Sequence, residues 1–179
     1  LRATQAQLIQ KEKLVARRAQ MNPHFIFNCL NSIKLYATEN QPDKAAEYLT
    51  TFSRLIRRVL ENSRSERVSL ENELEALRLY IELEAMRFKN KLRYEIHVEA
   101  GIDAGFVEIP PLLLQPYVEN AIWHGLMHKP EGGTVSVRVE QPRPDHLRIT
   151  VTDDGVGRAK AAELKSKSAT PKKSFGLKV

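Results

Sequence analysis

Residues 80–98, YIELEAMRFKNKLRYEIHV, change their hydrophobic period midway. Up to that point the apolar residues Leu70, Leu74, Leu77, Tyr80, Ile81, Leu83 and Phe88 read as one helix. Beyond it, Leu92, Tyr94, Ile96 and Val98 alternate with Arg93, Glu95 and His97, the period of a half-buried strand. A helix hands over to a strand, so the chain reads as α+β. Ser69 is placed to cap that helix, and Glu71 and Glu73 suit its positive N-terminal end.

Upstream, a second helix is predicted over about 43–62, carrying Ala46, Leu49, Phe52, Leu55, Ile56 and Val59. The turn Asn40-Gln41-Pro42-Asp43 separates it from residues 22–36, NPHFIFNCLNSIKLY. Asn22-Pro23 fits a helix cap followed by proline at the first helical position. If a helix runs in from upstream instead, Pro23 must kink it. Leu1, Leu8 and Val15 leave a thin heptad trace in the first twenty residues. Downstream, Pro110-Pro111 is expected to open a helix to about residue 126. Val135, Val137 and Val139 mark a second strand; Leu147, Ile149 and Val151 mark a third, ending in Asp153-Asp154-Gly155-Val156-Gly157. The order helix, strand, helix, strand, strand lacks regular βαβ alternation, so an antiparallel α+β sandwich is expected. Residues 158–173 hold six basic residues and one acid and read as a mobile segment.

At 179 residues with 42% hydrophobic and 28% charged side chains, the chain can bury one core or two small ones. Global disorder and a membrane span are both excluded by this pattern. The single cysteine, Cys29, leaves no internal disulfide framework and no multi-cysteine zinc site. Residues 1–68 carry +6, residues 69–129 carry −4 and residues 130–179 carry +4. A basic balance raises nucleic acid as a partner, but neither an aromatic stacking strand nor a Cys/His finger accompanies it. No direct nucleic-acid partner is expected.

Three constellations carry chemistry. In Asn22-Pro23-His24-Phe25-Ile26-Phe27-Asn28, the histidine sits at a helix start, where the helix dipole disfavours imidazolium and leaves a neutral, nucleophilic ring. Asn28, four residues on, can hold that ring; the plain alternative is an ordinary partly exposed histidine. In residues 112–125, LLLQPYVENAIWHG, the polar Glu119, Asn120 and His124 project from an apolar helix. Asn120 and His124, at i and i+4, are expected to share a face, where an amide oxygen can complete a Mg²⁺ shell and an imidazole can touch phosphate. The plain alternative is an exposed polar stripe. In residues 153–157, DDGVG, the glycines let backbone approach a ligand and an aspartate can accept from an exocyclic amine, though a simple strand-end turn fits as well.

The order and spacing of all three are more specific than any one. NPHFIFNCLNSI resembles the phospho-acceptor box of LytS-type sensor histidine kinases, LLLQPYVENAIWHG their N box, and DDGVG the first glycine box of the GHKL ATP-binding fold. The stretch between, VSLENELEALRLYIELEAMRF, resembles the helix that follows the dimerisation hairpin in this group. The resemblance covers roughly residues 16–179.

It implies three parts. Residues 1–68 would hold a signalling helix and the dimerisation and phosphotransfer helices, a hairpin forming half of a dimeric four-helix bundle. Residues 69–90 would be a connecting helix, and residues 91–179 an incomplete GHKL α/β sandwich truncated at its C-terminus. His24 would accept the γ-phosphoryl group of ATP and pass it to a response-regulator aspartate. Asn28 would orient it, and Glu119 is the candidate base. Asn120 would ligate Mg²⁺ and His124 would lie near the phosphates. Asp153 would bond the adenine amine, with Gly155, Gly157 and, in the second glycine box, Gly176 shaping the pocket. Residues 158–173 would belong to the ATP lid. The implied partners are a second copy and a LytTR-type response regulator. The implied setting is the cytoplasmic part of an inner-membrane protein anchored upstream.

The departures are informative. Trp123 stands where many histidine kinases carry Lys or Arg, so cationic contact to phosphate is expected from His124, Lys129 or the lid. Phe25 follows His24, where the commonest class has an acid. Only Ser174-Phe175-Gly176-Leu177 of the second glycine box is present, so weak nucleotide binding is expected of these residues alone. The rivals are a catalytically silent dimeric scaffold and an ATP-hydrolysing GHKL protein. The latter would need a water-activating glutamate where this chain has Pro116.

Overall fold

The computed structural model describes residues 22–89 and 91–157. The heptad trace before Asn22, the basic 158–173 run and Gly176 lie outside the described residues. Asn22 has ψ 117, outside the helical region, and its side-chain oxygen accepts from the His24 backbone N–H at 3.0 Å. Helix α1, Pro23–Thr38, therefore has Asn22 as its N-cap. Helix α2, Pro42–Ser63, folds back on it after the predicted turn. Their contact is sealed by buried Cys29 and Tyr48, whose hydroxyl donates to the Cys29 Sγ at 3.5 Å.

A two-residue strand, β1 (Val68–Ser69), leads into α3, Leu70–Arg87. Ser69 Oγ accepts from the Asn72 N–H at 3.2 Å, the predicted cap. Ser69→Ala is expected to cost about 1 kcal/mol, read from the denaturant midpoint at unchanged slope. Helix α3 buries Leu70, Leu74, Leu77, Tyr80, Ile81 and Leu83, more than one stripe, because other elements cover several of its sides. On the α2 side an Arg58–Glu75 ion pair joins the two helices.

The main sheet has the order β2 (Leu92–Val98), β4 (Gly133–Arg143), β5 (His146–Asp153). Val135, Val137 and Val139 form its buried face. The α+β class holds, but the all-antiparallel expectation does not: β4 runs antiparallel to β5 and parallel to β2, with Leu92 opposite Gly133. The long connection through residues 99–132 supplies the crossover that a parallel pair needs. Within it, β3 (Glu108–Ile109) pairs antiparallel with β1, a clip too short for any alternation to reveal.

The predicted helix from Pro110 begins later. Helix α4 spans Gln115–Asn120 and continues as a π-helical stretch, Ala121–Leu126. Residues 111–114 form a turn with Leu112 in the left-handed region at φ 55. Buried Glu73 of α3 holds that turn by accepting from the N–H groups of Leu112 at 2.9 Å and Leu114 at 3.3 Å. Glu73 thus does more than suit a helix end. The π-type spacing, marked by the Met127 N–H bonding to the Ile122 carbonyl at 2.9 Å, widens the turn. Asn120 closes α4, and His124 stands four positions on, in the π-helical stretch.

Candidate functional site

The first residues of α1 are tied to α4 by one side chain. While the oxygen of Asn22 caps α1, its amide nitrogen donates to Glu119 Oε1 at 2.9 Å. His24 is exposed in the first turn, with Nδ1 3.1 Å from Asn28 Nδ2. The imidazole meets Trp123 edge-on, ring centroids 5.7 Å apart at 61°. Phe88 also meets Trp123 edge-on at 6.3 Å. Arg87 lies over the indole, Cζ 4.5 Å from its centroid, and pairs with Glu84 Oε1 at 3.2 Å.

Glu84 is fully buried, and its Oε2 has no hydrogen-bond partner among the described residues. Burial pushes its carboxyl up to about 7; Arg87 opposes the shift and the Glu119 charge adds to it. The folded chain therefore holds a proton that the unfolded chain, near 4.5, has released. The stability from that proton is fully present below about pH 4.5, fades as pH rises, and is gone above about 7. Integrated over that window the loss is about 3 kcal/mol. Glu84→Gln is expected to flatten this slope in denaturation curves between pH 5 and 8; an unchanged slope would assign the titration elsewhere. Burial likewise pushes the Cys29 thiol up to about 11, so it packs as a neutral side chain.

At the far end of the same helical stretch lies the DDGVG turn. Asp153 ends β5, is exposed, and accepts from the Gly155 N–H at 2.9 Å. Gly155 lies directly on Gly125: a methyl on Gly155 would stand 2.5 Å from the Gly125 Cα. The Val156 N–H also bonds the Gly125 carbonyl at 3.0 Å. Asp154 serves the fold: Oδ1 accepts from the Thr134 N–H at 2.7 Å, and its carbonyl accepts from Lys129 Nζ at 2.8 Å. Gly157 has φ 79, which favours glycine.

The predicted residues therefore fall at two ends of one stretch. His24 and Asn28 touch at the first end, with Glu119 joined through Asn22 and Trp123 against the imidazole. Asp153 and Gly155 gather at the second, on Gly125, with Gly157 two residues further along the same turn. Between them, Asn120 is exposed as the last residue of α4, and His124 is half-buried in the π-helical stretch. Gly176 lies outside the described residues. No cluster of three His, Cys, Asp or Glu able to hold a metal occurs among the described residues. Glu84, Arg87 and Gly125 were not singled out by the sequence reading. Glu84 and Arg87 at i, i+3 look like an ordinary surface pair on a helix.

Against known proteins, the family model described as Histidine kinase matches residues 12–92. The chain is also 34% identical, over 157 residues, to "Sensor histidine kinase/phosphatase LytS" of Staphylococcus aureus strain Mu50. The chain belongs to the histidine kinase family. The LytS proteins of strains N315 and MW2 match with the same identity. Each alignment takes in 88% of this chain and 26% of the relative, so the chain spans about a quarter of the length of the curated relatives it matches. Among the described residues no helix is long and apolar enough to cross a membrane.

Proposed function

We propose that these residues are the cytoplasmic catalytic region of a two-component sensor histidine kinase. In this reading His24 takes the γ-phosphoryl group of ATP and passes it to an aspartate of a response regulator, of the LytTR type by family resemblance. One observation carries the reading: the His24 box is docked on the 119–123 stretch of its own chain, through the Asn22–Glu119 bond and the His24–Trp123 contact. A histidine on an unrelated helix face would have no reason to meet that stretch.

The step forms a bond from a ring nitrogen of His24 to the γ-phosphorus and breaks the bond to the β,γ-bridging oxygen, and ADP leaves. Asn28 selects the attacking nitrogen. With its amide nitrogen donating to Nδ1, the ring proton sits on Nε2. With the amide turned to present its oxygen, the proton moves to Nδ1 and Nε2 carries the lone pair. Attack through Nε2 uses the second arrangement. The Nδ1 proton is then released, and Glu119, tied to this end of α1 through Asn22, is the proposed acceptor. Asn120 would hold Mg²⁺, which neutralises phosphate charge when bound. Asp153 would accept from the adenine amine beside Gly155 and Gly157, with His124 near the phosphates and Gly176 completing the pocket.

In this reading residues 1–68 are the signalling and phosphotransfer helices, 69–90 the connecting helix and 91–179 the GHKL-type domain. Phe27, Leu30, Leu35, Leu49 and Leu60 are exposed on α1 and α2, which supports a second copy completing a four-helix bundle. The full-length protein would be anchored in the inner membrane. Pro116, without an ionisable group, argues against an ATP-hydrolysing relative.

The test is incubation of the full-length protein with Mg²⁺ and ATP labelled at the γ-phosphorus. The expected label is acid-labile and alkali-stable, as a phosphorus–nitrogen bond requires. An acid-stable label would assign the acceptor to a hydroxyl, and no label would leave the silent scaffold.

A further inference from the structure

The 119–125 stretch carries no lysine or arginine of its own, yet a guanidinium lies on it. Arg87 comes from the last turn of α3, only 18% exposed, and stacks on the face of Trp123. Its other hydrogen-bonding side faces Glu84, which is fully buried and cannot swing away. Phe88, the next residue, meets the indole edge-on. Trp123 is thus framed by the last residue of α3 and its C-cap, Arg87 and Phe88, and presents itself to the imidazole of His24. A guanidinium held over an indole and bonded through one nitrogen to a buried carboxylate has little freedom left, and a lysine, without the planar group, could not make both contacts in the same way.

From this chain of contacts we infer that Arg87 is a positioning residue for phosphoryl transfer: anchored by Glu84, it fixes Trp123, and Trp123 sets the approach of the His24 ring. The inference rests on the reading of His24 as the phospho-acceptor. Arg87 acts through Trp123, so its loss degrades alignment rather than nucleotide binding. Alignment is the larger part of what a protein contributes to phosphoryl transfer, and small errors in it are costly.

The experiment measures initial rates of His24 labelling against ATP concentration in the full-length protein. Arg87→Lys, which keeps the charge but loses the planar stack, is expected to lower kcat about tenfold with KM for ATP unchanged. Arg87→Gln is expected to lower it at least as far, and a melting curve on each variant confirms folding. Combining Arg87→Gln with Trp123→Leu should add little to Trp123→Leu alone, since both break one contact chain. Additive losses would overturn the inference, as would full activity in the lysine variant. A raised KM with unchanged kcat would also overturn it by placing Arg87 on the nucleotide. Failure of the underlying reading looks different: the wild type is not labelled, or label survives His24→Gln.

Discussion

His24→Gln in the full-length protein is expected to abolish the acid-labile label from γ-labelled ATP, a fall of about a thousandfold or more in rate. Glutamine fills much of the same space and can still meet the Asn28 amide, but its own amide nitrogen has no lone pair to offer phosphorus. The variant should fold normally, because His24 is exposed and α1 is capped by the Asn22 side chain and the His24 backbone, not by the ring. Its melting temperature should match the wild type, as surface substitutions usually stay within about 0.5 kcal/mol. Label that persists at wild-type level would remove His24 as the acceptor. Label lost together with the fold would assign the effect to packing against Trp123.

Gly155→Ala should have the second-largest effect, and it should reach stability and nucleotide affinity together. The added methyl points at the backbone of Gly125, which belongs to a π-helical stretch and cannot yield as the end of a flexible side chain would. Relieving the overlap must push the 153–157 turn away from the helix, at a cost of about 3 kcal/mol. The displaced turn takes the Asp153 carboxylate with it, so, if Asp153 holds the adenine amine as proposed, ATP titration of the full-length protein should show little or no binding. Gly157→Ala is the comparator: its methyl meets nothing within 4 Å, and only the φ of 79 opposes it. About 1 kcal/mol and a modest loss of affinity are expected there. Equal effects from both variants would show that backbone conformation, not the contact with Gly125, governs the turn.

How legible these sites were follows from the range of the interactions involved. The change of period near Phe88, the Ser69 cap and the Asn22-Pro23 helix start are local, and the structure places each where the residues indicate. The helix expected at Pro110 starts instead at Gln115, because the carboxylate of Glu73, about forty positions earlier, captures the N–H groups of the intervening turn. The parallel pairing of β2 with β4 is equally hidden, since an alternating strand does not announce its partner's direction. Arg87 and Gly125 were missed for a related reason. A basic residue in a last helical turn looks like a dipole partner, and a glycine after His124 looks like a helix stop. Their neighbours, Trp123 and Gly155, come from other parts of the chain.

The parallel pairing also governs how the chain folds. Joining Leu92 to Gly133 closes a loop of about forty residues, and the whole 112–125 stretch lies inside it. The entropy of closing that loop is lost before the strand pair returns anything, so the sheet should form late, after the α1–α2 hairpin with its local contacts. The end of the site proposed to hold nucleotide should then come into being only in the last cooperative step. A substitution that weakens the β2–β4 ladder would slow the appearance of ATP binding during refolding while leaving the helical signal early and intact.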